Sequence, residues 1–172
     1  MQKYLKDYVF IGLIAGAVVI LDQWTKAIVR ANLGFSEYWM PVEWLVPYIR
    51  IVNWQNTGAA FGIGQDLNMV FTILSFVVIG GILYYFPQIS AADIFFRLAL
   101  SLQLGGAVGN LIDRVRLGHV TDFISVGRFP VFNVADSSIT IGVGVLLLGL
   151  WLEETRMKTE PISELETELE NE

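Results

Sequence analysis

Four long apolar segments constrain the fold of this chain more than any other feature of its sequence. They cover about residues 8–28, 67–86, 92–112 and 134–152. A helix rises about 1.5 Å per residue, so about 20 residues cross the roughly 30 Å hydrocarbon layer of a bilayer. A hydrophobic fraction of 54% against 16% charged residues agrees with this interpretation. The sequence therefore predicts an all-α polytopic membrane protein with four transmembrane helices.

The two ends of the chain differ from each other in composition. The N-terminus resembles a signal peptide because Lys3 and Lys6 precede its apolar run. The run leads directly into Asp22 without a small-residue cleavage site, so we interpret it as an uncleaved first span. Residues 153–172 account for the whole formal net charge of −6, because they hold eight glutamates against two basic residues. That composition predicts a disordered or weakly helical C-terminal tail.

Residues 31–66 contain too many charged residues and prolines to form another span. They are rich in aromatic side chains, which are enriched at membrane–water interfaces. A short surface helix is predicted over residues 36–46. A strand rich in β-branched and aromatic residues is predicted over residues 48–54, followed by a turn at 55–58. The segment is either a connector lying on the lipid or a platform over a site between the helices.

The alternation of four spans places both termini on one side of the membrane. The connecting segments 31–66 and 113–133 then emerge together on the other side. Each side carries five lysine and arginine residues. The positive-inside rule therefore gives no orientation.

Residues 105–138 hold the polar groups that are best suited to catalysis, including Asp113, Asp122 and Asp136. Acids beside membrane spans are costly and usually functional. The absence of cysteine excludes disulfides, thiol nucleophiles and thiolate metal sites. A serine triad or a zinc site is weakly supported, because His119 is the only histidine and no GxSxG or HExxH spacing is present. No metal site is therefore predicted.

A pair of aspartates is the remaining candidate for a catalytic group. Asn133 is a good N-cap for the fourth span and Asp136 falls in its first turn. Gly127 and Pro130 can form a reversal that brings the carboxylates of Asp122 and Asp136 together. Such a pair shares a proton, so one carboxylate can act as a base on water while the other donates to a peptide carbonyl. The helix dipole favours the anion at Asp136.

Other charged residues have simpler explanations as ion pairs. Asp22 and Lys26, and also Asp93 and Arg97, lie four residues apart on one helix face. Asp113 is adjacent to arginine in the sequence and is expected to pair with it.

Five short blocks, in this order, resemble the signal peptidase II family of bacterial membrane aspartic proteases. The blocks are DQWTK (22–26), NTGAAFG (56–62), GGAVGNLIDR (105–114), GHVTDF (118–123) and FNVADS (132–137). The resemblance implies that Asp122 and Asp136 form the catalytic dyad. Thr121 stands where many members are expected to carry an apolar residue, which leaves that assignment intact. The residues implied to bind substrate or shape the site are Asp22, Lys26, Asn56, Gly58, Asn110, Asp113, Arg114 and Asn133.

The resemblance also implies a reaction and a location. Such a hydrolase removes the signal peptide from a lipid-modified prolipoprotein, cutting just before the cysteine that carries diacylglycerol. It is a multi-pass protein of the bacterial plasma (inner) membrane, with cytoplasmic termini and an active site near the outer face. It is expected to act as a monomer among membrane lipids, without metal, cofactor or nucleic acid.

Two other functions remain open from the residues alone. The first is a small proton- or ion-coupled transporter that uses the carboxylates as a relay. The second is a non-enzymatic membrane scaffold. Against a transporter, the acids cluster at one end and no internal repeat is present.

Overall fold

The computed structural model describes residues 2–58 and 67–170, with side chains for 4–58 and 67–156. Within these residues four helices are long and apolar enough to cross a membrane. The protein is therefore a multi-pass membrane protein, as the sequence predicts. Residues 59–62 of the second block lie outside the described part. The helices are α1 (Gln2–Asn32), α2 (Asn68–Tyr85), α3 (Ile94–Leu117) and α4 (Val134–Glu170).

Helix α3 lies at the centre of the bundle and packs against α1, α2 and α4. Small residues allow this close packing: a side chain at Gly105 would place its Cβ 2.6 Å from the Cβ of Val18 in α1. The outer faces of the bundle carry exposed apolar side chains such as Leu13, Val77 and Leu147. In a bilayer these side chains face lipid rather than water.

A small antiparallel sheet covers one end of the bundle. Its strands are β1 (Tyr38–Trp39), β2 (Ile49–Asn56) and β3 (Val120–Val126), in the order β1-β2-β3. β2 precedes α2, whereas β3 connects α3 to α4. Their pairing shows that the two connecting segments lie on the same side of the bundle, as the alternation of spans predicts.

Local boundaries differ from the sequence predictions in three places. The surface helix predicted over residues 36–46 is wrong in extent, because only a 3₁₀ turn at Glu43–Leu45 is helical and Tyr38–Trp39 pairs with β2. The strand β3 was not predicted. α3 continues past residue 112 to Leu117, and Gly118, with a φ of +78°, ends it in the left-handed conformation that favours glycine.

The C-terminal part of α4 continues to Glu170. The composition of residues 153–172 predicts a disordered or weakly helical tail, and the described backbone there is helical as far as Glu170. Glutamate, leucine, methionine and lysine favour a helix, whereas Pro161 within the same stretch disfavours one.

Arg97 does not pair with Asp93, four residues before it on the sequence. Its guanidinium NH2 instead lies 2.9 Å from Asp7 Oδ1 of α1. Asp93 lies just before the first turn of α3 and is exposed, whereas Arg97 faces the neighbouring helix. The predicted pair within one helix is therefore wrong, and the observed pair joins two helices.

Candidate active site

Asn133 connects the two aspartates that the sequence singles out. Its Oδ1 accepts a hydrogen bond from the backbone N–H of Asp136 at 2.9 Å, and its own backbone N–H donates to Asp136 Oδ2 at 3.2 Å. This reciprocal pair caps α4, as predicted for Asn133. Its Nδ2 also donates to Asp122 Oδ1 at 2.7 Å. One asparagine therefore contacts both carboxylates at the start of α4.

The predicted chain reversal between the aspartates is present after β3. Gly127 has a φ of +51°, in the region that favours glycine. Phe132 then forms an antiparallel bridge with Ile124 of β3. The chain thus folds back along the strand before α4 begins, which brings the start of that helix to the strand that carries Asp122.

Each carboxylate accepts a further hydrogen bond from an asparagine. Asp122 Oδ2 accepts from Asn56 Nδ2 at 2.9 Å, and Asp136 Oδ1 accepts from Asn110 Nδ2 at 2.8 Å. The backbone N–H of Gly58 donates to Asn56 Oδ1 at 3.0 Å, which leaves the amino end of that amide for the carboxylate. Both oxygens of both carboxylates are therefore held by named donors.

Lys26 lies at the centre of a buried ionic cluster behind the aspartates. Its Nζ is 2.8 Å from Asp22 Oδ2, 3.2 Å from Asp113 Oδ2 and 3.0 Å from Asn110 Oδ1. The side chains of Lys26 and Asp22 are completely buried. Three oxygens match the three protons of an ammonium group. The predicted pairing of Asp22 with Lys26 is confirmed.

Asn110 joins this ionic cluster to the aspartates. Its Oδ1 accepts from Lys26 Nζ and from Asn133 Nδ2, at 3.0 and 3.1 Å, so its Nδ2 faces Asp136. A charge-assisted hydrogen bond is stronger than a neutral one, so the lysine fixes which way the amide points. We call the connected set the polar network; it comprises Asp22, Lys26, Asn56, Asn110, Asp113, Asp122, Asn133 and Asp136.

Asp113 pairs across helices rather than with its sequence neighbours. Its carboxylate contacts Lys26 and also lies 3.5 Å from Arg30 NH1, both in α1. The expectation that Asp113 pairs with an adjacent arginine is therefore wrong. Adjacent side chains on a helix point in different directions, so Arg114 and Arg116 cannot easily share its face.

A cavity of about 760 Å³ lies beside the polar network, between α2, α3 and α4. Its polar end includes Asp122 and Asp136, with Gly58 and Arg114. The Arg114 guanidinium lies 5.6 Å from the centre of the Phe71 ring, and its Nε has no hydrogen-bond partner among the described residues. Every site residue predicted from the sequence thus belongs to the polar network or lines this cavity. The apolar wall includes Phe71, Leu74, Val78, Ile139 and Ile141.

Burial is the main reason that the pKa of Asp122 rises to about 7, and the charge of Asp136 raises it further. Hydrogen bonds from Asn56 and Asn133, and the charge of Lys26, act in the opposite direction but do not cancel the rise. A carboxyl group with such a pKa can hold and donate a proton near neutral pH.

Gln23, Arg30 and Thr121 belong to the site but were not predicted. Gln23 Nε2 and Arg30 NH1 lie 3.2 and 3.5 Å from Asp113 Oδ1, and the backbone N–H of Thr121 donates to Asp113 Oδ2 at 3.0 Å. Gln23, Lys26 and Arg30 are spaced by three and four residues, which places them on one face of α1. That spacing is the signal from which Gln23 and Arg30 could have been found.

The fold and the site define a class of protein. It is a polytopic membrane protein in which two aspartates, both hydrogen-bonded to one asparagine, line an apolar cavity at one end of the bundle. Among the described residues, no group of three or more histidine, cysteine or acidic side chains is arranged to hold a metal ion. The chain belongs to the signal peptidase II family, since the family described as Signal peptidase (SPase) II matches residues 14–152. It is therefore a membrane peptidase.

Similar proteins of known name cover most of the chain. A lipoprotein signal peptidase of Halalkalibacterium halodurans is 38% identical over 152 residues, covering 86% of this chain and 96% of that protein. One from Brevibacillus brevis is 40% identical over 143 residues, covering 82% and 94%. One from Staphylococcus aureus (strain MRSA252) is 38% identical over 158 residues, covering 88% and 94%.

Two solved structures share the fold, and both are described as a bacterial membrane enzyme studied by the in meso method. The first has a TM-score of 0.78 and 35% identity, covering 85% of this chain and 90% of that one. The second has a TM-score of 0.72 and 36% identity, covering 81% and 91%. These similarities give no support to the transporter alternative.

Proposed function

We propose that this protein is an aspartic endopeptidase that removes the signal peptide from diacylglyceryl-modified prolipoproteins, cutting just before the lipidated cysteine. One observation carries the proposal: Asn133 holds both Asp122 and Asp136 at the polar end of an apolar cavity. The names of the similar proteins, lipoprotein signal peptidase, support the substrate class.

The two aspartates take different roles in this proposal. Asp122 carries the proton, because burial and the neighbouring carboxylate raise its pKa to about 7. Asp136 is ionised, because it lies in the first turn of α4, where the positive end of the helix dipole favours an anion. Asp136 removes a proton from a water that attacks the scissile carbonyl carbon, while Asp122 protonates the carbonyl oxygen. As the C–N bond breaks, the proton held by Asp136 passes to the leaving amine, and Asp122 takes back a proton from a hydroxyl group of the tetrahedral intermediate.

The asparagines hold the reacting groups in place. Asn133 contacts both carboxylates, Asn56 contacts Asp122 and Asn110 contacts Asp136. Fixing two catalytic groups before substrate arrives removes part of the entropic cost of the reaction. We therefore assign the three asparagines to positioning the dyad.

The cavity has the chemistry that a lipid-modified signal peptide needs. Its wall between α2 and α4 is apolar, whereas Gly58 and Arg114 line it near the aspartates. An apolar signal-peptide helix and acyl chains can lie against the wall while the peptide bond reaches the polar end. We assign Arg114 and Gly58 to substrate binding, because both line the cavity beside the dyad.

We further propose that both termini are cytoplasmic and that the polar network lies near the outer face of the bacterial plasma (inner) membrane. The sheet beside the network and the segment that joins β1 to β2 expose aromatic side chains, including Tyr38, Trp39, Trp44 and Tyr48. Such side chains favour the membrane–water interface, where water can reach the dyad. In this proposal residues 1–152 form the peptidase unit, which acts as a monomer among membrane lipids without metal or organic cofactor.

The decisive experiment compares wild type, Asp122→Asn and Asp136→Asn, purified in detergent, on a diacylglyceryl-modified prolipoprotein. Asparagine keeps the size of aspartate but cannot exchange the proton. We expect wild type to cleave and each variant to lose at least about 100-fold in rate, the lower range for removing an acid or base. Asp93→Asn is the matched control. Asp93 is exposed and lies just before α3, so this variant should keep full activity.

Two outcomes would contradict the proposal. If wild type does not cleave the lipidated substrate, the assigned reaction is wrong. If either folded dyad variant keeps substantial activity, that aspartate is structural and the dyad assignment fails.

A further inference from the structure

The buried carboxylate of Asp113 contacts both α1 and β3. Its Oδ2 contacts Lys26 Nζ at 3.2 Å and accepts from the backbone N–H of Thr121 at 3.0 Å. Its Oδ1 lies 3.2 Å from Gln23 Nε2 and 3.5 Å from Arg30 NH1. Three side chains from one face of α1 therefore meet at a carboxylate that also holds the first residues of β3.

Thr121 makes three of the contacts at this junction and is completely buried. Its hydroxyl oxygen accepts a hydrogen bond from Arg30 NH1 at 2.9 Å, which is shorter than the contact of that guanidinium with Asp113. Its backbone carbonyl also accepts from Asn133 Nδ2 at 3.4 Å. The residue that follows in the chain is Asp122.

The ladder between β2 and β3 is irregular close to this point. Ile51 pairs with Ile124 and Trp54 pairs with Asp122, so β2 carries one extra residue between these pairs. Such a bulge interrupts the ladder on one side of Asp122, whereas Thr121 pairs regularly with Gln55 on the other side. The side chain of Thr121 can therefore add a contact from outside the sheet on the side where the strand is already paired.

We propose that Thr121 is a positioning residue for Asp122, acting through the hydrogen bond between its hydroxyl group and Arg30. The bond ties the start of β3 to α1 on the side away from the cavity. It thereby keeps the Asp122 carboxylate against Asn133 and Asn56. This inference rests on the proposed function, because it needs Asp122 to be a catalytic residue.

The test uses Thr121→Val, which keeps the shape of the side chain but removes the hydroxyl group. On the diacylglyceryl-modified prolipoprotein we expect kcat to fall about 3- to 10-fold, the range for losing one hydrogen bond, with KM within about twofold. Thr121→Ser restores the hydroxyl group and is expected to restore kcat. Thr72→Val is the matched control, because the Thr72 hydroxyl donates to the carbonyl of Asn68 in its own helix.

A double-mutant cycle with Arg30→Met tests whether the hydrogen bond itself is responsible. If the two residues act through one contact, Thr121→Val costs little or no further activity in the Arg30→Met background. Two additive losses would overturn the proposed contact. The thermal stability of each variant is measured in parallel.

The outcomes separate this inference from the proposed function. A Thr121→Val variant that melts earlier but keeps the wild-type kcat would make Thr121 merely structural. A Thr121→Ser variant as slow as Thr121→Val would remove the hydroxyl group from the explanation. If wild type is inactive or Asp122→Asn is active, the proposed function itself fails and the role of Thr121 falls with it.

Discussion

Both ends of the helix bundle bury an ion pair between α1 and α3, but the two pairs are built differently. At the sheet-covered end, Lys26 has three oxygen partners within 3.2 Å. At the other end, Arg97 NH2 contacts Asp7 Oδ1 at 2.9 Å, and the rings of Phe10 and Phe86 flank the guanidinium at 5.0 and 4.7 Å. Asp7 Oδ2 and Arg97 NH1 have no hydrogen-bond partner among the described residues.

The difference concerns what each pair is connected to. The lysine at the sheet-covered end is one member of the polar network and reaches Asp136 through Asn110. The pair of Asp7 and Arg97 contacts aromatic rings and belongs to no such network among the described residues. A buried pair of this kind contributes little net stability over apolar residues, whereas a connected one can fix the geometry of a site. The pair of Asp7 and Arg97 therefore joins two helices, whereas the Lys26 cluster also supports the candidate active site.

Replacing each cation by methionine should give the largest difference in activity between the two ends. We expect Lys26→Met to lower the cleavage rate by more than about 100-fold, because the Asn110 amide can then turn away from Asp136. It also leaves Asp22 buried without a cation, which costs about 3–5 kcal/mol of unfolding free energy. Arg97→Met should lower the melting temperature but keep kcat within about twofold, because its contacts do not reach the dyad. Cleavage assays and thermal unfolding in detergent measure both effects.

Double replacements supply the control for that experiment. Asp7→Leu combined with Arg97→Met removes both charges, so stability should return to the wild-type level or above. Asp22→Leu combined with Lys26→Met removes two charges in the same way but should leave the enzyme inactive. Activity in this second double variant would show that the ionic cluster only fastens helices.

The pH dependence of cleavage should come from the sheet-covered end alone. Because burial raises the pKa of Asp122 to about 7, the carboxyl group loses its proton above that pH and can no longer protonate the substrate. We expect the rate to fall above pH 7, approaching about tenfold per pH unit. Arg97→Met should show the same profile as wild type. A rate that stays constant from pH 7 to pH 9 would contradict the role of Asp122 as proton donor.

The free energy of unfolding should also depend on the protonation of Asp122. The pKa of Asp122 is raised from 3.8 to about 7, so between these values the folded protein keeps a proton that the unfolded chain has lost. Its contribution to stability is full below pH 3.8 and is lost as the pH rises to about 7. Asp122→Asn lacks this contribution, so the melting temperature of the variant should rise relative to that of wild type between about pH 4 and pH 7 and not change further above pH 7.

The spans, the strand in the first connecting segment and the cap at Asn133 could be predicted because each has a local signature. β3 has a similar content of β-branched and aromatic residues, but Val120–Val126 is buried along nearly all of its length and shows no alternation of polar and apolar residues, so the sequence prediction did not include it. α3 extends through charged residues that look like a membrane exit. Its end is set by Gly118 rather than by hydropathy.

The candidate site could be predicted only where a motif or a regular spacing pointed to it. Asp22 and Lys26 pair within one helix turn, so their contact follows from spacing. The contacts of Asp113 with Arg30, and of Arg97 with Asp7, join residues more than 80 positions apart. Only the packing of α1 against α3 selects these partners, so rules based on neighbouring positions fail there.

Two glycines give the finest comparison of the two ends. A Cβ at Gly109 would lie 2.7 Å from Asp22 Oδ2, whereas a Cβ at Gly149 would lie 2.8 Å from the Cβ of Phe95. We expect Gly109→Ala to lower kcat about 3- to 10-fold, because the displaced carboxylate disturbs the Lys26 cluster. Gly149→Ala should cost about 1–3 kcal/mol of unfolding free energy through overpacking but leave kcat unchanged.

Gly80→Ala controls for the substitution itself, because no atom lies within 4 Å of a Cβ placed there. Alanine is the better helix former, so this variant should be as stable as wild type or slightly more stable. Cleavage rates and melting temperatures of the three variants then separate crowding near the polar network from crowding elsewhere between α3 and α4. If Gly109→Ala and Gly149→Ala changed kcat by the same factor, the site would respond to general loosening of the bundle, and the special role of the sheet-covered end would be refuted.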